Sequence, residues 1–170
     1  MSAELHESDL LDGMSLHSFR GSALFERVFN ETMALVEDCA RYLDGRGVTE
    51  SHALPRKAAL VYAGESMRVT TRLMQAASWL LVQRAVQEGD MSNDVAASDR
   101  YRLGAQEICL AQSEPGVDML PETLLDLLTR SENLYRRIAR FDDLLFQQAE
   151  TEPGVHSQFA KLAAAFPDSK

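Results

Sequence analysis

Two cysteines in 170 residues, Cys39 and Cys109, are too few for a disulfide scaffold. The longest apolar run is interrupted by Arg72, Gln75, Gln83 and Arg84, well short of the roughly 20 uninterrupted residues that a membrane span requires. Nothing near Met1 pairs positive charge with an apolar secretory stretch. Basic charge is also scarce: the formal net charge is −9, which argues against a duplex-binding surface and against nucleic acid as a partner. No sustained period-two pattern suggests strands, and no internal repeat is present.

The same scarcity extends to chemistry. His6, His17, His52 and His156 are scattered and never recur at the three- or four-residue spacing that brings two ligands to one metal. Glu37/Asp38 and Asp142/Asp143 are adjacent pairs; neighbours on a helix diverge by about 100°, so both pairs read as solvated face. Cys109 has no nearby histidine to activate it, and Cys39 falls among apolar residues as a small core group. No phosphate loop, dinucleotide fingerprint or nucleophile elbow appears. The reading is therefore a protein with no catalytic residues, no cofactor and no metal.

What remains is helix. The segment ALFERVFNETMALVEDCARYLD, residues 23–44, sets Phe25, Val28, Phe29, Thr32, Leu35, Val36, Cys39, Tyr42 and Leu43 on one stripe, and is expected to stop at the left-handed glycines of GRG, 45–47. A second helix is predicted from Pro55 to about Gly89. A third starts at Pro121, with Leu124, Leu127, Leu128, Leu134, Tyr135, Ile138, Phe141 and Leu145 on one face. Residues 91–120 form a long connection expected to hold short helical turns and functional surface. The expected architecture is all-α, an elongated three-helix bundle over residues 18–151, between a mobile acidic tail at 1–17 and a flexible tail at 152–170.

The middle helix differs from the other two. Val69, Leu73, Ala76 and Leu80 make one apolar stripe, while Leu60, Met67, Met74, Ser78, Leu81 and Ala85 lie almost opposite. Between them runs a polar strip of Glu65, Arg68, Arg72, Gln75 and Gln83, with Trp79 in its middle. Leu60, Met67, Met74 and Leu81 are candidates for a dimer contact, because exposing several large apolar side chains is costly. The alternative is that residues 91–120 fold back over them. Trp79 is either a core residue or an interface anchor flanked by arginine. Arg68, Arg72, Trp79 and Gln83 are candidate protein contacts, as is a basic cluster of Arg136, Arg137 and Arg140 on the third helix, which is otherwise a solvated face paired with Glu132, Glu122 or Asp143.

Three stretches, ETMALVEDCARYLD, ESMRVTTRLMQAASWLLVQRAVQEGDMS and LPETLLDLLTRSENLYRRIARFDDLL, resemble the RcdA-like (regulator of CtrA degradation) family of alphaproteobacteria, previously a domain family of unknown function. The resemblance covers most of residues 19–146. It implies a helical three-helix-bundle homodimer without catalytic residues, which acts as an adaptor for the ClpXP protease. Implied partners are CpdR-like and PopA-like accessory proteins and protein cargo such as CtrA, in the cytoplasm, with recruitment to a cell pole through those partners. Two other classes compete with an adaptor. One is a small-ligand sensor or scaffold, the ligand lying near Met67, Met74 and Trp79; the other is a helical enzyme in which His52 meets several carboxylates in one cleft.

Overall fold

The computed structural model describes residues 16–151. The expected tails at 1–17 and 152–170 lie almost wholly outside the described residues. Within them the chain is all-α, with no strand. Three long helices carry it: α2, Ala23–Asp44; α4, Arg56–Glu88; and α7, Glu122–Thr151. A short α1, Leu16–Arg20, precedes α2, and α3, Arg46–Ala53, fills the corner between α2 and α4. The connection from α4 to α7 contains only short turns of helix: α5, Asn93–Ala96; α6, Gln106–Cys109; and two 3₁₀ turns, Asp99–Tyr101 and Val117–Met119.

The boundaries follow local chemistry. The Ser22 hydroxyl accepts from Phe25 N at 3.2 Å and caps α2. Pro55 precedes α4, and Pro121 precedes α7. Gly89, at φ 83°, closes α4 in the left-handed conformation. Gly45 departs from the expected stop: its φ of −115° is not left-handed. What excludes a side chain there is a close approach, since a Cβ would lie 2.8 Å from Arg41 O. The chain turns at Gly45 and re-enters a helix at once, so GRG opens α3 as much as it ends α2.

The three long helices touch one another pairwise around one core. Phe25, Val28, Leu35, Cys39 and Tyr42 come to it from α2, and Leu124, Leu127, Leu134, Tyr135, Ile138 and Phe141 from α7. Val69, Leu73, Ala76 and Leu80 enter from α4, so the first of its two stripes faces inward as expected. Phe19 of α1 closes one end edge-on to Phe25, with ring centroids 5.7 Å apart. At the other end Tyr62 donates to Gly47 O at 3.1 Å and Tyr42 to Glu50 at 2.8 Å, fixing α3 to both long neighbours.

Candidate protein-interaction site

Helix α4 presents three faces, and the polar one is the least expected. Arg72 is 2% exposed, Trp79 and Gln83 are each 3% exposed, and Glu65 is fully buried. These side chains do not face solvent because residues 93–120 run back along α4, antiparallel to it, and cover them. The backbone of an irregular segment has donors and acceptors that no helix satisfies, and burial obliges something else to satisfy them. The polar strip does so. Arg72 donates to Cys109 O at 2.8 Å and Leu128 O at 3.2 Å, and reaches Glu132 at 3.3 Å. Gln75 Oε1 accepts from Gly104 N at 3.2 Å, and Glu65 accepts from Glu114 N at 3.2 Å. Arg68 is paired with Glu65 at 2.8 Å and donates to Gln112 O at 3.3 Å.

Farther along, Trp79 Nε1 donates to Asp142 at 2.8 Å, and Arg102 bridges Asp142 at 3.2 Å and Asp143 at 2.9 Å. Gln83 accepts from Arg20 Nε at 2.9 Å, and Arg20 also donates to Asn93. Arg72 and Gln83 therefore present no outward contact in this fold, and for Trp79 the core alternative is the one observed. Arg68 is largely covered as well. Asp142, taken with Asp143 as solvated face, is instead 2% exposed and serves as the acceptor at the centre of this network. Burial pushes the Arg72 guanidinium down from its ordinary value, opposed by Glu132, and also lowers Arg20.

Among the described residues nothing covers the second apolar stripe of α4. Leu60, Met67, Met74 and Leu81 are 70, 73, 63 and 53% exposed. The connection lies on the polar side, so the fold-back that could have covered this stripe goes elsewhere. Met67 and Met74 face outward and Trp79 inward, so the three do not line one pocket for a ligand.

On α7 the basic cluster divides. Arg136 is paired with Glu132 at 2.7 Å, the expected partner, whereas Arg137 reaches across to Glu31 of α2 at 2.8 Å. Arg140 is exposed. A cleft of about 360 Å³ between α2, α3 and α7 was not legible beforehand, because its walls come from three elements; they include Asp38, Arg41, Arg46 and Arg130. Its guanidinium groups are already engaged: Arg41 with Asp38 at 3.1 Å, Arg46 with Glu50 at 2.7 Å, and Arg130 with Asp38 and Asp126, each at 3.2 Å. Asp126 holds the Arg130 pKa above its ordinary value.

Among the described residues, no group of three or more His, Cys, Asp or Glu side chains is placed to hold a metal ion, and no helix is long and apolar enough to cross a membrane. His52 sits exposed at the end of α3. Burial pushes both thiols, Cys39 and Cys109, up from the ordinary value, which is the opposite of nucleophile activation.

Residues 16–166 match the model of a family described as a protein of unknown function (DUF1465). The crystal structure of RcdA from Caulobacter crescentus CB15 is 49% identical over an alignment that covers 76% of this chain and 97% of that one, with a TM-score of 0.63. No curated protein matches the chain.

Proposed function

The chain belongs to the DUF1465 family and is RcdA-like, and from that premise we propose that it is a non-enzymatic regulator of proteolysis. In this reading it is a cytoplasmic adaptor that delivers a CtrA-like cell-cycle regulator and other cargo to ClpXP, together with CpdR-like and PopA-like accessory proteins. The observation that carries the reading is the 49% identity extending over 97% of the RcdA chain. The placement of polar groups is compatible with it. The buried carboxylates Glu65 and Asp142 are occupied in structural ion pairs with Arg68 and Arg102. Binding would then fall to outward surfaces: the exposed α4 stripe for self-association, and Arg136 and Arg140 on α7 for an acidic segment of a partner.

The test is degradation of CtrA by purified ClpXP, with and without this protein, in all combinations of the accessory factors. Acceleration that requires this chain is the expected result. No acceleration in any combination would remove the adaptor assignment for that cargo.

A further inference from the structure

Arg20 differs from the other covered cations of the fold. It ends the short α1, is 6% exposed, and bonds to neutral amides: Nε donates to Gln83 at 2.9 Å and Nη1 donates to Asn93. Arg72, Arg68 and Arg137, also well covered, each meet a carboxylate, on Glu132, Glu65 and Glu31 respectively. Among the described residues Arg20 meets none, and its Nη2 has no acceptor. A covered charge without a counter-charge is costly. Burial lowers the Arg20 pKa with no neighbouring charge opposing the shift, whereas Glu132 opposes the same shift at Arg72. The Nη2 edge is nevertheless not sealed, since it keeps contact with solvent. Gln83 and Asn93 hold the guanidinium from its other edge and so fix the direction in which the free one points. The geometry is that of a formed receptor for one carboxylate.

We propose that this edge receives a carboxylate of the chain's own acidic N-terminal segment, one of Glu4, Glu7, Asp9 and Asp12. Residues 1–15 carry those four acids and no Lys or Arg, so segment and site have opposite charge. The segment also joins the fold beside the site. It enters α1 at Leu16, and the five residues of that helix span about 7.5 Å at 1.5 Å per residue. Asp12 lies four residues ahead of Leu16, and an extended chain covers about 3.5 Å per residue, so even the last of the four acids can reach back along α1 to Arg20. Tethering presents these carboxylates at an effective concentration in the millimolar range, which favours them over carboxylates free in solution. The segment then acts as a latch on α1 and on the start of the connection at Asn93. Drawing it away leaves the burial of Arg20 uncompensated again. This inference goes beyond the proposed function and does not depend on it.

The full-length protein is tested by following the carboxyl carbons of the four acids by NMR as pH is lowered. One of them is expected to titrate about one unit below the other three, because the guanidinium favours its charged form. Arg20→Gln should bring that acid back into line with the rest. Should Arg20→Gln fail to fold, Arg20→Lys replaces it, and should shift the titration of the same acid and of no other. A double-mutant cycle gives a second readout. Glu4→Gln, Glu7→Gln, Asp9→Asn and Asp12→Asn together should lower the melting temperature by about 2–4 °C at low salt, and by less at high salt. In the Arg20→Gln background the same four changes should leave it unmoved, which a purely structural role for Arg20 would not produce.

Four acids that titrate alike, with effects that add in the cycle, would overturn the proposal. So would a displaced titration that survives both Arg20 variants, since its partner would then be another cation. If the four acids titrate alike but inorganic phosphate or a polyglutamate peptide raises the melting temperature only when Arg20 is present, the site takes an external anion and the N-terminal segment is not its occupant. None of these results bears on delivery to a protease, which the degradation assay tests separately.

Discussion

Trp79 and Arg72 carry polar groups into the interior and find partners there, so their energetics are those of core residues. Trp79 is large, almost fully buried and hydrogen-bonded to Asp142. Trp79→Ala is therefore expected to cost about 3–5 kcal/mol of stability, through the cavity and the stranded carboxylate together. Denaturant unfolding of the variant checks this, and any loss of association should not exceed the loss of folded protein. Burial raises the pKa of Cys39 and Cys109 above the ordinary 9.0, and those of Tyr42 and Tyr135 above the ordinary 10.0. The folded state thus keeps these protons to higher pH than the unfolded chain does. The contribution is intact below the unfolded thiol value and declines as pH rises through the folded ones. Melting temperature is expected to fall from about pH 8.5 upward, with a shallower slope when both cysteines are replaced by alanine.

Among the elements, the connection between α4 and α7 is the one whose shape depends most on others. It has no long helix of its own, and Gly104 is gripped from two sides: Gln75 accepts from its N–H, and the Tyr135 hydroxyl donates to its carbonyl at 2.6 Å. The following residue, Ala105, is held at φ 60°, a left-handed conformation unusual for a residue with a Cβ. Strain of this kind persists where surrounding contacts over-determine the backbone. Ala105→Gly should relieve it, with a net gain of about 0.5–1 kcal/mol after the greater entropy of glycine is discounted. Thermal melts would measure the gain, and a loss of stability would show that the Ala105 side chain contributes packing that outweighs the strain.

At the scale of the whole molecule, an acidic protein displays a local basic face on α7. Arg136 and Arg140 are exposed there, and a surface pair such as Arg136–Glu132 is worth little to stability. Reversing Arg136 and Arg140 together to glutamate is expected to leave the melting temperature within a few degrees. In the proposed adaptor role, the same change should reduce cargo delivery at least several-fold at low salt, with a smaller difference at high salt as screening weakens the attraction. Unchanged degradation rates across that salt range would exclude this face from partner binding.

The periodicity of the chain by itself determined the helices. Phe25 to Leu43 and Leu124 to Leu145 each trace one apolar stripe, and the proline and glycine flanking α4 mark its ends, because these signals are local and concern the backbone of one segment. The split of α4 into two apolar sides was legible for the same reason. Which polar residues face water was not. Arg72, Gln83 and Asp142 look like surface when a helix is considered alone, and only the return of residues 93–120 along α4 gives them backbone groups and charges to satisfy indoors. Short α3 was equally hidden, since its position rests on Tyr42 and Tyr62 from two other helices. The tertiary structure thus decided the inside and outside of α4: the segment that covers its polar strip leaves Leu60, Met67, Met74 and Leu81 in solvent. A side chain's burial depends on what packs over it, which no single helix specifies.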